Sequence, residues 1–141
     1  MASNAINVKG TVIAIGTTAS VMASDTYTTI GETLSFDGPG GSASVIDVTH
    51  LASTAREKRK GLKDSGQFTV QVNRVFGDAG QQALISAQDD DEPYNFKVTY
   101  ADGTIHYFKA LVMEFRSSGG GVDEVLRGQV TLEITGDVEE A

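Results

Sequence analysis

"QFTVQVNRVF", residues Gln67 to Phe76, alternates cleanly over its first seven positions. Phe68, Val70 and Val72 fall on one side, and Gln67, Thr69, Gln71 and Asn73 on the other. That period of two predicts a strand with one buried face. The same pattern recurs downstream. "YNFKVTY" sets Tyr94, Phe96, Val98 and Tyr100 against Asn95, Lys97 and Thr99, then runs into Ala101-Asp102-Gly103. An Asp-Gly pair between alternating segments predicts a hairpin. The returning strand, "TIHYFKALVMEF", begins with Ile105 and Tyr107 on one face and continues with Phe108, Ala110 and Val112. That slip of phase at Tyr107–Phe108 implies a bulge or a strand apolar on both faces. After the flexible turn "SSGGGVDE" comes "VLRGQVTLEITG", in which Leu126, Val130, Leu132 and Ile134 are expected inward and Arg127, Gln129, Thr131 and Glu133 outward. "VKGTVIAI" and "YTTIGETLSF" are weaker strand candidates upstream.

One helix is expected, at about 78–88, in "GDAGQQALISAQ". Asp78 can cap its first turn, and Ala79, Ala83, Leu84 and Ala87 make an apolar stripe. It is too short to stand alone and must pack on a sheet. The fold class is therefore mainly β: two packed antiparallel sheets, a sandwich or open barrel, with one flanking α-helix.

The 141 residues are expected to form one domain, burying roughly 68% of the unfolded surface. There is no cysteine, which excludes disulfides, thiol catalysis and thiolate metal sites. The start, "MASNAINVKG", lacks a basic segment followed by an apolar core, so no signal peptide is expected. No apolar run is long enough to span a bilayer as a helix, and no membrane anchoring is expected. The net charge of −8 argues against nucleic-acid binding through a broad basic surface.

The positive charge is concentrated. From Arg56 to Asp64 there are five bases (Arg56, Lys58, Arg59, Lys60, Lys63) against two acids (Glu57, Asp64), in a chain otherwise acidic. The surrounding stretch, "DVTHLASTAREKRKGLKDSG", shows no clean alternation and reads as a long loop over residues 48–66. Loops of that length usually have a function. One basic protrusion on an acidic body suits contact with another copy of itself.

No constellation for catalysis assembles. His50 and His106 are the only histidines, neither has a second ligand type at metal spacing, and no cofactor or metal is expected. No serine lies in a G-x-S-x-G elbow. "GPGGSAS" (Gly38–Ser44) lacks the G-K-[ST] ending of a phosphate loop and reads as a mobile surface loop. "DDDE" (Asp89–Glu92) lacks the ligand spacing of a calcium loop. It reads as a solvated turn or an acidic docking patch. The outward strand faces are poor in charge, with Gln67, Thr69, Gln71, Asn73, Thr99, Gln129 and Thr131. Monomeric sheets usually guard open faces and edges with charge. Such faces suit a sheet continued across subunits, a watery interior, or plain solvent.

The order of segments resembles the major tail tube proteins of long-tailed (siphovirus-type) bacteriophages. In "SVIDVTHLASTAREKRKGLKDSGQFTVQVNRV", the matching positions are Ile46, Asp47, Val48 and Thr49, then Gly61, Leu62, Asp64 and Gly66. The following "FGDAGQQALISAQ" and the ending "VTLEITGDV" also fit, so the likeness runs from roughly Ile30 to Val138. The resemblance implies a structural virion protein that forms hexameric rings stacked into a tube for genome delivery. It also implies tape measure, tail terminator and baseplate proteins as partners, and DNA passing through the lumen without specific binding. The virion tail is the expected location, with the host cytoplasm before assembly. Many relatives carry a further immunoglobulin-like domain, which is not expected here.

On that reading the segment Thr49 to Lys63, mobile in the free chain, bridges rings through Thr49, His50, Arg56, Lys58, Arg59, Lys60 and Lys63. Candidate acceptors on the next subunit are Asp89, Asp90, Asp91 and Glu92, with Asp137, Glu139 and Glu140 of the acidic end "GDVEEA". Lumen-facing candidates are Gln67, Thr69, Gln71, Asn73, Gln129, Thr131 and Glu133. The competing reading is a monomeric β-sandwich binding module, for instance for carbohydrate. It is weakened by the lack of Trp, the presence of only 4 Tyr, and the placement of Tyr94 and Tyr100 beside Phe96. A small hydrolase would need a base–nucleophile pair that is missing.

Overall fold

The computed structural model describes residues 9–40, 42–52 and 54–141. Val8 of the first weak strand candidate, Gly41 and Ser53 lie outside them. The chain runs β1 (Val12–Ile15), a 3-10 turn (Met22–Ser24), β2 (Thr28–Thr29), β3 (Thr33–Asp37), β4 (Ser42–Asp47), β5 (Lys58–Asp64), β6 (Gln67–Asn73), α1 (Ala79–Gln88), β7 (Tyr94–Thr99), β8 (Ile105–Ser118) and β9 (Arg127–Glu140). A seven-stranded antiparallel sheet has the order β2-β1-β7-β8-β9-β6-β3, and β4 and β5 form a separate two-stranded sheet.

The two long strands explain how one sheet makes two layers. Along β8 and β9, β7 pairs with the first half of β8 (Tyr94 with Ala110, Thr99 with Ile105), whereas β6 pairs with the first half of β9 (Gln67 with Glu133, Asn73 with Arg127). Register shifts at Tyr107/Lys109 and Val112/Glu114 mark irregularities between β8 and β9. Bulges of this kind bend a strand and increase its twist. The expected slip at Tyr107–Phe108 is the first of them. The two halves curl toward each other around a run of rings. Phe36 stacks on Phe68 at 5.9 Å, Phe68 meets Phe108 at 5.3 Å, and Phe108 meets Phe96 at 5.7 Å. Phe36 of the edge strand β3 also reaches Tyr100, beyond the far end of β7, at 6.2 Å. The edge strands β2 and β3 are linked by only Ile30, Gly31 and Glu32, a span of about 13 Å at most. The open sides of the sheet therefore lie close together.

Helix α1 sits against this link. Asp78 caps it, accepting from the Gln81 amide at 3.0 Å, and also accepts from the Gly31 amide at 3.1 Å. Gly80 lies so close to Thr29 and Ile30 that any Cβ would collide with their backbone. The buried side is Gly80, Gln81, Leu84 and Ala87, with Ala83 partly buried and Ala79 exposed. The expected stripe is thus shifted: a glycine and a glutamine replace Ala79 at the contact. Gln81 is fully buried. Its Oε1 accepts from Arg74 Nη1 (2.9 Å) and the Val75 amide (3.0 Å), and its Nε2 donates to the carbonyls of Asn73 (2.9 Å) and Gly31 (3.3 Å).

Several expectations are corrected. The basic stretch is a loop only to Glu57, because Lys58–Asp64 forms β5 and pairs with β4. Ser42–Ser44 of "GPGGSAS" belongs to β4 rather than to a surface loop. Leu126 is 38% exposed, since β9 begins one residue later and Gly128 takes the first buried position. Asp137, Glu139 and Glu140 are not a loose acidic end. They lie in β9, where Glu139 and Glu140 pair with Tyr107 and His106 of β8. The Asp-Gly hairpin is present: Gly103 has φ +94°, which suits glycine, and its amide donates to the Tyr100 carbonyl at 3.0 Å.

Candidate assembly surfaces

The β4–β5 ribbon is an arm. Its register places Ala43 opposite Lys63, Val45 opposite Lys60, Ile46 opposite Arg59 and Asp47 opposite Lys58. Between Ala43 and Val45 β4 advances two residues while β5 advances three. That extra residue is a bulge, and it lets lysines at uneven spacing share a face. Lys58, Lys60 and Lys63 accompany Val45 and Asp47 on one side, and Arg59 accompanies Ile46 on the other. Bonds within the arm join the two sides of its loop. The Val48 amide donates to the Glu57 carbonyl (3.0 Å) and the Glu57 amide to Thr49 Oγ1 (2.9 Å). The Thr49 amide donates to Asp47 Oδ1 at 2.9 Å. The Thr49 side chain and then its amide hold the Asp47 carboxyl below its usual range. His50 pairs with Glu57 at 3.2 Å and Arg56 with Asp47 at 3.6 Å. Among the described residues no acid lies within ion-pair distance of Lys58, Arg59, Lys60 or Lys63. At the arm's root, Ser65 Oγ donates to the Gly136 carbonyl at 2.6 Å. Lys63 there lines a shallow groove with Ser65, His106 and Glu140.

The seven polar candidates do converge. Cross-strand pairing sets Gln67 beside Glu133, Thr69 beside Thr131 and Gln71 beside Gln129, with Asn73 beside Arg127, all on one surface. Gln67 Nε2 donates to Glu133 Oε2 at 2.9 Å. What leaves this surface bare was not legible in advance. The sheet's outward face over β7 and the start of β8 is covered by the segment Gly16–Tyr27. Asn95, outward on β7 yet fully buried, donates to the Ala19 carbonyl and to Asp25 Oδ2, both at 2.9 Å. Lys109 Nζ donates to the Ala19 carbonyl (2.9 Å) and to Asn95 Oδ1 (3.0 Å), while Tyr27 packs on Tyr107. Burial pushes the Asp25 carboxyl up, but donors from Thr17, Asn95 and Thr26 outweigh it and bring it down to about 2. Among the described residues no segment covers the corresponding face of β6 and the first half of β9, where Gln67, Gln71 and Gln129 are exposed.

The acidic turn Asp89–Glu92 follows α1. Asp90 accepts from the Glu92 amide (3.1 Å) and the Tyr94 hydroxyl (2.9 Å), which together hold its carboxyl below the usual range. Gln88, Asp90 and Asp91 border a groove completed by Leu111, Val112 and Met113 of β8. The two acidic segments do not form one patch: Asp89–Glu92 flanks α1 and β8, whereas Glu140 faces His106 at 3.8 Å beside the arm's root.

A family model described as phage tail tube, lambda-like, matches residues 5–110. The chain belongs to this family. Its role is therefore structural, that of a tube-forming subunit of a virion tail. Solved structures share the fold at low identity. The tail of an empty gene transfer agent particle, refined with C6 symmetry, is 17% identical with a TM-score of 0.73, covering 97% of this chain and 99% of that one. The SPP1 tail tube is 14% identical with a TM-score of 0.70, covering 96% and 78%. A chain from the sheath–tube complex of an extracellular contractile injection system is 14% identical with a TM-score of 0.73, covering 99% and 93%. Among curated proteins none matches.

Proposed function

We propose that this tail tube protein assembles into hexameric rings that stack into a conduit for the genome, with the β4–β5 arm bridging successive rings. The observation that carries the reading is an arm joined to the body mainly at its root, on a chain of the tail tube family. A lone two-stranded ribbon is marginal in water, and Val45 and Leu62 on it are 67% and 91% exposed. Such a ribbon is suited to packing on another molecule. The C6 symmetry of the similar gene transfer agent tail supports six subunits per ring.

The uncovered face of β6 and β9 lines the lumen in this reading. Its amides and hydroxyls, with Glu133, offer phosphate no clustered cations, so a duplex slides past without sticking. The chain performs no catalysis. Its partners are further copies of itself, a tape measure in the lumen, and terminator and baseplate proteins at the ends. Before assembly it resides in the host cytoplasm. Related folds in the sheath/tube terminator of an extracellular contractile injection system and in the baseplate of an anti-feeding prophage support end partners built on the same geometry.

Electron microscopy of the purified protein across concentration and salt tests the assembly. Rings or tubes with sixfold symmetry are expected; uniform small particles under every condition would refute it. A cryo-EM map that puts Glu133 on the outer wall would overturn the lumen assignment.

A further inference from the structure

We propose that the lysine face of the arm seats in the groove between the end of α1 and β8 on a second copy of this chain. This rests on the stacked-ring reading and names the surface that receives the bridge. The groove has an apolar floor and an acidic rim. Leu111 and Met113 lie on β8 beside the Val112/Glu114 register shift, Met113 is 56% exposed, and Asp90 and Asp91 stand at the border. An occupant must bring apolar surface and cations together in one narrow element. The arm does so: Val45 shares its face with Lys58, Lys60 and Lys63. None of these three lysines has an acid within ion-pair distance among the described residues of its own chain.

The rim is also prepared. The Tyr94 hydroxyl and the Glu92 amide orient the Asp90 carboxylate before any partner arrives. Orientation in advance lowers the entropy lost on binding. Glu140 is less suited, because it lines the groove at its own arm's root with Lys63 and faces His106. A contact between two different surfaces of identical chains is heterologous, and repeated it generates an open stack.

The chain has no cysteine, so introduced thiols are unique handles. Val45→Cys and Met113→Cys both alter exposed side chains and leave the core untouched. Assembled double-variant tubes treated with a short bismaleimide should give a ladder of covalent trimers and larger species on a denaturing gel. Single variants should stop at dimers, and the pair Ile46→Cys with Met113→Cys, on the opposite arm face, should cross-link several-fold less. Tubes that form but yield no ladder above that control would overturn the groove assignment alone. Failure of the wild-type chain to form tubes at all would refute the ring reading, and this proposal with it.

A charge exchange provides the second test. Lys58→Glu with Lys60→Glu, or Asp90→Lys with Asp91→Lys, should each weaken assembly roughly tenfold, through like-charge juxtaposition. Combining the four substitutions should restore most of the loss. A combined variant as poor as the worse parent would overturn the contact.

Discussion

Replacing Gln81 by methionine isolates the contact that ties α1 to the seam of the sheet. Methionine keeps the length and helix propensity of glutamine but not its polar atoms. Four hydrogen bonds vanish, and the structure shows what each leaves behind. The carbonyls of Gly31 and Asn73 and the amide of Val75 lose a partner in a buried place, and Arg74 loses an acceptor. A stranded buried group costs about 1–3 kcal/mol. Partial relaxation of the three backbone groups sets the expected loss at about 3–6 kcal/mol. That is a large part of the roughly 5–15 kcal/mol typical of a domain, so the variant should fold but unfold at a much lower urea midpoint with an unchanged slope. Gln82→Met is the matched control, one position along on the exposed side, where a single bond to the Phe76 carbonyl is lost. It should cost no more than about 0.5 kcal/mol. A loss for Gln81→Met below about 1 kcal/mol would refute the reasoning, because water or a shifted backbone would then be satisfying those groups.

Phe108→Ala removes the ring shared by Phe68 and Phe96 at the meeting of the two halves and should cost about 3–5 kcal/mol in thermal or chemical unfolding. Asp25→Ala strips acceptors from Thr17, Thr26 and Asn95 and should cost about 2 kcal/mol, with hydrogen exchange rising over Gly16–Tyr27. Because the folded Asp25 titrates at about 2, below the ordinary 3.8, its contribution is full above about pH 4 and is lost as pH falls toward 2. The variant's stability should therefore approach that of the parent at low pH, and a gap that widens on acidification would contradict it. Reversing Arg59 and Lys60 to glutamate should impair tube formation in a salt-dependent way. Each exposed ion pair is worth only about 0–1 kcal/mol, but in the proposed hexameric ring six arms would act together. Normal assembly at low and moderate salt would remove the electrostatic role.

The strands that decide the fold were legible because each has one dry face. Phe68, Val70 and Val72, and Phe96 and Val98, are all nearly inaccessible, and alternation follows directly from that asymmetry. Asp78 and the Asp-Gly turn were legible for a different reason: capping and hairpin chemistry are local. The helix stripe was less so. Gly80 and Gln81 face inward for reasons set by Thr29, Gly31 and Asn73, residues that helical periodicity does not include.

The arm shows where period-two reasoning must fail. Lys58, Lys60 and Lys63 do not have strand spacing, and no alternation exists in "KRKGLKD" to be found. The bulge opposite Ala43–Val45 creates the common face, and it exists only in the pairing with β4. An isolated ribbon also buries neither side, so the apolar–polar contrast that exposes a strand in sequence is absent: Val45, Ile46 and Leu62 are all exposed. The same logic applies to β8, where Leu111 and Met113 are apolar residues on positions that alternation assigns to solvent. In a solitary globule these features would be defects of patterning. In the stacked assembly proposed above, they are the places where burial would wait for a second copy.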